Sequence, residues 1–345
     1  MNDARAQPRY RAIFLAALGP VPAHVAWAWQ EAGHEILELW TSPDTGAGAW
    51  RRDRRLGWLA PQWSLSAAIR RWRIPRRAVA MPAEWRDAAA RIADLRPDLI
   101  LSVFFPRLLP APLLEGLAVP AINLHPTLLP RCRGPFPMVA MLVDEAVDRS
   151  SGVTAHVMTA AADAGPIIAA LPVALPPDRN VRQWELALAQ AAARLAVEAI
   201  PRYLEGGQPT YPQDETQATS RRPSTRDLAL TPAATAARVE WLCSTVAWLQ
   251  PITMRVDGAD YRIAGAVRRL GRPTGAPARL GWRTLELDLA DARVRLGRRM
   301  AWDGQRLRLA TLLRRIATRP AWPHRDPLPQ AAPGRAKPDP NPPAS

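Results

Sequence analysis

Three polar side chains carry the functional groups that acyl transfer to an amine requires. They are Asn123, His125 and Asp163, and each lies within or just after an apolar segment. An amide N–H can donate a hydrogen bond to a developing oxyanion. An imidazole and a carboxylate can hold or move the proton that the amine loses. Because Asn123 and His125 are two residues apart, an extended strand would direct both side chains to one face. We therefore expect these three residues to form a catalytic site.

Other kinds of chemistry have less support in the sequence. The first apolar run is followed by a segment with a single glycine, which matches neither a dinucleotide-binding loop nor a P-loop. His125 and His156 with one acidic neighbour make an incomplete ligand set, so no metal is expected. The only cysteines are Cys132 and Cys243, which argues against a disulfide framework and favours the cytoplasm.

The elements that would position these residues alternate along the first two hundred residues. Strands are predicted at 13–18, 35–40, 98–104, 120–125 and 152–158, and helices at about 23–32, 85–96 and 181–204. This alternation predicts an α/β fold with a Rossmann-like open parallel sheet. Ligands of such sheets bind outside the carboxyl ends of the strands, so the loops after the last three strands should converge.

The sequence predicts four regions, and their composition changes at each boundary. Residues 1–205 form the catalytic domain, 206–227 form a polar linker, 228–320 form a β-rich domain resembling a small barrel, and 321–345 form a Pro-rich disordered tail. In the second domain a helix capped by Thr231 should run to Leu249, with later turns at Asp257-Gly258 and Asp303-Gly304. No transmembrane span is predicted.

The charge of the chain favours an anionic partner. Lys and Arg number 46 against 31 Asp and Glu, which gives a net charge of +15. A basic cluster between the second strand and residue 60 alternates with Trp50 and Trp58, and either contacts nucleic acid or is a solvated charge run. Its members are Arg51, Arg52, Arg54 and Arg55. Because the only lysine is Lys337, genomic base composition is an alternative origin of the charge.

Two segments, AINLHPTLLPRCRG at 121–134 and GVTAHVMTAAADAGPII at 152–168, together resemble the 10-formyltetrahydrofolate-dependent formyltransferases. They match that family's Asn-x-His-x-Ser/Thr-Leu-Leu-Pro segment and its Asp-x-Gly loop. FFPRLLPAPLL at 104–114 resembles the folate-side loop, and YPQDETQAT at 211–219 resembles the exit from the catalytic domain. The β-rich region is similar to the accessory domain of methionyl-tRNA formyltransferases, so the resemblance extends over roughly residues 10–315.

The resemblance implies transfer of a formyl group from 10-formyltetrahydrofolate, as co-substrate, to a primary amine through a tetrahedral intermediate. Asn123 and a protonated His125 would stabilise the oxyanion, while Asp163 would orient the imidazole or take the amine proton through a water. His156 would have a supporting structural role.

The resemblance also implies two groups of binding residues. The folate-binding residues are Phe105, Arg107, Leu108, Leu109, Pro126, Thr127, Leu128, Ala161 and Ala162. The acceptor-binding residues are Arg51, Arg52, Arg54, Arg55, Arg133 and Gly134. For Phe105, Leu108 and Leu109, ordinary core packing is the alternative.

One departure from the family concerns the amine acceptor. After Gly134 the methionyl-tRNA enzymes commonly continue Ala-Ala-Pro-Ile-Gln, whereas residues 135–139 here are Pro-Phe-Pro-Met-Val. We expect the acceptor to be the amino group of methionyl-tRNA. The alternatives are an amino-sugar nucleotide or another biosynthetic amine, and, in a different class, a catalytically degenerate RNA-binding protein.

Overall fold

The computed structural model describes residues 8–298. The predicted turn at Asp303-Gly304, the end of the predicted β-rich domain after residue 298 and the tail at 321–345 lie outside the described residues. Within residues 8–298, no helix is both long enough and apolar enough to cross a membrane.

Seven strands form the first sheet. They are β1 (Arg11–Ala16), β2 (Glu35–Thr41), β3 (Arg76–Ala78), β4 (Leu99–Val103), β5 (Ala121–His125), β6 (Gly152–Val157) and β7 (Ile167–Pro172). Their order across the sheet is β3-β2-β1-β4-β5-β6-β7, and β1 to β5 are mutually parallel. The predicted α/β fold is confirmed.

Helices cover this sheet and connect its strands. They are α1 (Pro20–Glu31), α2 (Ala47–Leu59), α3 (Leu65–Trp72), α4 (Trp85–Leu95), α5 (Ala111–Glu115), α6 (Pro137–Val143), α7 (Val147–Ser150), α8 (Val181–Arg194) and α9 (Ile200–Leu204). A π-helical turn at Leu195–Ala199 joins α8 to α9, so the predicted long helix at 181–204 is nearly continuous.

Strand β1 shows why the parallel strands are continuous apolar runs. Ile13 belongs to a hydrophobic cluster with Ile92 of α4, whereas its neighbour Phe14 belongs to a second cluster with Trp29 of α1. A parallel strand covered on both faces must be apolar at every position, not at alternate ones. The central strands therefore form a rigid support for the polar residues at their ends.

The predicted parallel arrangement is wrong for β6, and β7 is a strand that the sequence did not predict. β6 is antiparallel to β5, and β7 is antiparallel to β6. The chain between β5 and β6 contains only α6 and α7, with 7 and 4 residues. At 1.5 Å per residue α6 is about 10 Å long, about half the length of a six-residue strand, so neither helix can return the chain alongside β5 as a parallel crossover requires.

Six strands form a second sheet after residue 228. They are β8 (Ala229–Leu230), β9 (Ile252–Val256), β10 (Ala259–Gly271), β11 (Arg279–Leu280), β12 (Thr284–Asp288) and β13 (Arg293–Arg298), in the order β11-β12-β13-β10-β9-β8. The turn at Asp257-Gly258 has positive φ at both residues, as a tight hairpin requires. This second sheet confirms the β-rich part of the predicted fold class within the described residues.

The helix of this second region begins later than predicted. It is α10 (Ala236–Ser244), and its cap is Thr235, whose hydroxyl accepts a hydrogen bond from the Arg238 N–H at 3.3 Å. Thr231 cannot cap it, because pairing of Leu230 with β9 keeps the chain extended up to that point and a turn follows.

Candidate active site

Strand β5 fixes Asn123 and His125 on one face of the first sheet. The side chains between and before them, Ile122 and Leu124, are completely buried on the opposite face. Pairing with β6 sets Asn123 directly opposite His156. His125 itself is only 4% exposed, so its ring has little freedom to reorient.

Asp163, in the loop between β6 and β7, lies at the centre of the polar cluster. Its Oδ1 is 3.6 Å from Nδ1 of His125, 3.6 Å from Nε2 of His156 and 3.3 Å from Nδ2 of Asn123. Its Oδ2 accepts a hydrogen bond from the Gly134 N–H at 2.8 Å. The structure thus brings together the three residues singled out in the sequence, although the β6–β7 loop reaches them from an antiparallel strand.

The hydrogen bonds of the two histidines indicate where their protons lie. Nε2 of His125 is 3.1 Å from the Cys132 carbonyl oxygen, which can only accept, so Nε2 carries a proton and Nδ1 faces Asp163. Nδ1 of His156 lies 3.0 Å from the Val157 carbonyl oxygen and must likewise donate. Nε2 of His156 then accepts from the Asn123 amide at 3.2 Å, which fixes that amide's orientation.

Burial and nearby charges set the pKa of Asp163 and the pKa of His125. Burial alone would raise the pKa of Asp163, but the charge that His125 carries when protonated and the hydrogen bond from the Gly134 N–H hold that pKa well below its usual range. Burial lowers the pKa of His125; the Asp163 carboxylate opposes this effect without reversing it. At neutral pH the cluster therefore holds an ionised carboxylate beside a neutral imidazole whose Nδ1 is able to accept a proton. This differs from the protonated His125 that the family resemblance implies, because burial of the ring outweighs the carboxylate.

Gly165 allows the loop to bring Asp163 to this position. A Cβ atom at Gly165 would lie 1.9 Å from the Val157 carbonyl oxygen, so no larger residue fits. Asp163 has a φ of 53°, in the left-handed region that residues other than glycine rarely adopt. The glycine of the Asp-x-Gly pattern is therefore required by the close approach of the loop to β6.

Comparison with known proteins gives the family. A family model described as "Formyl transferase" matches residues 75–200, which include Asn123, His125 and Asp163. The chain is 30% identical to the methionyl-tRNA formyltransferase of Roseiflexus castenholzii over 258 residues, which is 72% of this chain and 76% of that protein. The chain belongs to the formyltransferase family.

Two further comparisons define the extent of the likeness. The methionyl-tRNA formyltransferase of Chloroflexus aurantiacus is 34% identical over 212 residues, and the match spans 61% of this chain but only 64% of that relative's length. A solved N-formyltransferase from Helicobacter canadensis, in complex with folinic acid and dTDP-3-aminofucose, has a TM-score of 0.54 at 13% identity. It matches 85% of this chain and 100% of its own, and the likeness is one of fold.

The loop after β4, predicted from the sequence to bind folate, divides into buried and exposed positions. Leu109 is buried, and half-buried Phe105 packs against the same cluster. Leu108 is 69% exposed. The Arg107 guanidinium forms an ion pair with Asp44. Core packing thus accounts for Leu109, whereas Leu108 is available to a ligand.

The other predicted folate residues lie on the loops beside the cluster. Thr127 is fully buried, and its hydroxyl donates to the Arg131 carbonyl oxygen at 2.8 Å, so it stabilises the turn after β5. Pro126 is buried and Leu128 half-buried in the same turn. Ala161 and Ala162 are exposed in the loop that leads to Asp163.

The predicted acceptor-binding arginines fall into two groups. Arg51, Arg52, Arg54 and Arg55 are all exposed on α2, beside Trp58, which is 83% exposed. α2 is attached to the start of α3 through buried Asp53, whose Oδ2 accepts from the Ser66 N–H at 2.7 Å. The Arg133 guanidinium, in contrast, is bound by Gln213 and Glu215 of the same chain.

Sequence reasoning missed the contribution of residues 211–220, which it assigned to a linker. Gln213 donates to the Asp163 carbonyl oxygen at 2.8 Å and accepts from Arg133 at 2.7 Å. Arg133 also forms an ion pair with Glu215 at 2.7 Å. The only available signal was the likeness of YPQDETQAT to the family's domain exit, and it carried no role for a single residue.

Proposed function

We propose that this protein transfers a formyl group from 10-formyltetrahydrofolate to a primary amine. The observation that carries the proposal is the ionised Asp163 held 3.6 Å from Nδ1 of a buried, neutral His125, with Asn123 beside both. An aligned base, a charge that stabilises its protonated form and an amide donor are the groups that acyl transfer to an amine needs.

In this proposal each side chain has one part in the reaction. His125 accepts the proton of the attacking amine at Nδ1, since Nε2 already donates to the Cys132 carbonyl oxygen. When the tetrahedral intermediate collapses, the bond between the formyl carbon and the folate N10 breaks, and the His125 imidazolium returns the proton to N10, which releases tetrahydrofolate. Asp163 stabilises the resulting imidazolium, because its own pKa is too low for it to take the proton. The Asn123 amide exchanges its 3.3 Å bond to Asp163 for a hydrogen bond to the developing oxyanion.

The loop after β4 has the chemistry to hold the folate. Within the described residues, the peptide N–H groups of Phe105, Arg107 and Leu108 make no hydrogen bond, and the Leu108 side chain is exposed. A flat heterocycle with polar edges can bind to such free amides and pack against apolar side chains. The folinic acid bound in the Helicobacter canadensis N-formyltransferase supports a folate as the donor.

For the acceptor, we propose the amino group of methionyl-tRNA, and therefore a role in protein biosynthesis. The relatives with 30% and 34% identity are methionyl-tRNA formyltransferases. The exposed arginines of α2 with Trp58 form a face suited to a phosphate backbone and to stacked bases. Reaction with charged tRNA would occur in the cytoplasm, and both cysteines are free, as expected in a reducing compartment.

A second candidate acceptor is an amino-sugar nucleotide. Phe136, in the segment that departs from the methionyl-tRNA enzymes, is 53% exposed two residues after Gly134, which itself binds Asp163. An exposed aromatic ring beside the cluster could stack on a nucleobase. The dTDP-3-aminofucose of the Helicobacter canadensis structure supports this class.

The experiment that tests the proposal measures release of tetrahydrofolate from 10-formyltetrahydrofolate with each acceptor supplied separately. Release with charged initiator tRNA alone supports the first acceptor, and release with amino-sugar nucleotides alone supports the second. A protein that binds folate but releases no tetrahydrofolate with any primary amine would refute formyl transfer.

A further inference from the structure

Residues 211–220 bind to both loops that carry the polar cluster. Tyr211 and Ile167 exchange backbone hydrogen bonds of 3.0 and 2.8 Å, which attaches the segment just beyond the Asp163 loop. At its other end, Thr219 accepts the Arg133 N–H at its carbonyl oxygen and the Cys132 N–H at its hydroxyl. The segment therefore spans from the loop after β6 to the loop after β5.

Gln213 lies between these two attachments and uses its whole amide. Its Nε2 donates to the carbonyl oxygens of Asp163 at 2.8 Å and Gly165 at 2.7 Å. Its Oε1 accepts from Nε of Arg133 at 3.1 Å and Nη2 at 2.7 Å. The opposite amide orientation would direct N–H groups at a guanidinium and an oxygen at two carbonyls, so only one orientation is stable.

Arg133 is itself held in place. Nη1 and Nη2 donate to the two carboxylate oxygens of Glu215 at 2.9 and 2.7 Å, in the paired geometry that fixes a guanidinium best. The Arg133 side chain is only 12% exposed. Gln213 thus rests on a fixed partner on one side and on the main chain of the Asp163 loop on the other.

The Asp163 loop needs such support because its backbone has an uncommon conformation and little space. Asp163 has positive φ, and Gly165 is in close contact with β6. A small rotation of the Asp163 peptide would move its carboxylate away from His125 and from the Gly134 N–H. None of the contacts to the carboxylate itself constrains that peptide, whereas Gln213 bonds directly to its carbonyl oxygen.

We propose that Gln213 is a positioning residue that holds the main chain of Asp163 so that the carboxylate faces His125. The expected effect of Gln213 on turnover rests on the proposed formyl transfer. The expected effect of Gln213 on how Asp163 faces His125 holds whether or not formyl transfer occurs. Arg133, predicted from the sequence to bind the acceptor, in this view anchors Gln213 instead.

The test compares Gln213→Met with Gln217→Met. Methionine keeps the length of glutamine, adds no charge and removes the strong hydrogen bonds. Gln217 is a matched control, because its side chain also binds an arginine of the loop after β5, Arg131, but within the described residues makes no hydrogen bond to the Asp163 loop. If Gln213→Met unfolds, Gln213→Glu replaces it, since a carboxylate keeps the Arg133 contact and loses both donors.

Two readouts separate positioning from a merely structural effect. In kinetics we expect Gln213→Met to lower kcat on the order of a hundredfold, as misplacement of a reacting group by about 1 Å does, with KM for the folate within twofold. In an NMR titration of the His125 ring, identified by its loss in His125→Asn, we expect the pKa to fall as Asp163 moves away, because the carboxylate is the group that raises it. The charged or titratable groups facing His125 are Asp163 and His156.

The outcomes distinguish this inference from the proposed function. A wild-type protein without formyl transfer would refute the function, while a lowered His125 titration in Gln213→Met would still support positioning. Turnover within twofold of wild type together with an unchanged His125 titration would overturn the inference. So would an equal loss of turnover in Gln213→Met and Gln217→Met, since that would indicate a general effect on the segment.

Discussion

Replacing Asp163 with Asn is expected to lower kcat about a thousandfold while leaving the fold intact. The carboxylate lies 3.6 Å from Nδ1 of His125. At that distance, and with an effective dielectric constant of about 20, a full charge stabilises the imidazolium by about 4.6 kcal/mol. Each 1.4 kcal/mol corresponds to tenfold in rate, which gives about three powers of ten, within the range of acid–base groups in enzymes.

The fold should persist because asparagine has the same shape. Its amide oxygen can still accept the Gly134 N–H, and the bonds from Gln213 go to the main chain of residue 163. The assay is tetrahydrofolate release with the acceptor that wild-type protein prefers, together with thermal unfolding of both proteins. Asp260→Asn is the control, since Asp260 forms an exposed ion pair with Arg255 and its loss should change kcat less than twofold. A folded Asp163→Asn protein that retains more than a tenth of wild-type kcat would refute the assigned role.

Three further predictions concern the loop, pH and the acceptor. Gly165→Ala should abolish turnover and lower the Tm, whereas Gly46→Ala, where an added Cβ meets nothing within 4 Å, should do neither; similar Tm values would be evidence against the close contact. Burial lowers the pKa of His24 to about 4, so the folded state binds fewer protons than the unfolded state, and the free energy of unfolding should fall by about 3 kcal/mol as pH drops from about 6.5 to 4. Urea unfolding should show that this loss is smaller in His24→Phe; an equal loss would mean that His24 is not its source. Replacing Arg54 and Arg55 with Ala should lower kcat/KM for charged tRNA and weaken its salt dependence, but leave a small amine acceptor unaffected; equal effects on both acceptors would exclude a phosphate contact.

The sheet and the polar cluster could be predicted from local patterns. β1 and β4 are buried on both faces, so their apolar runs have few alternative explanations. The two-residue spacing of Asn123 and His125 on one strand face follows from strand geometry alone. Asp163 was identified through its motif, and its contact with His125 depends on a loop conformation that residue spacing does not determine.

The parts that could not be predicted depend on contacts between distant residues. The direction of β6 depends on how short helices pack after β5, and the helix start at Thr235 depends on strand pairing of Leu230. Gln213 lies in a polar stretch typical of a linker, and its role follows from bonds to residues about fifty positions earlier in the chain. Composition describes such a segment correctly as polar but does not indicate what it binds.

The measurement that tests the central claim most directly follows the formyl carbon itself. Donor labelled with ¹³C in the formyl group is incubated with wild-type protein or His125→Asn, with charged initiator tRNA or an amino-sugar nucleotide, and the products are analysed by mass spectrometry. We predict that wild type places the label on the amine of one acceptor. In His125→Asn the rate of this transfer should be lower by on the order of a hundredfold or by more. Label that remains on the folate, or that appears as free formate at equal rates with both proteins, would contradict the account.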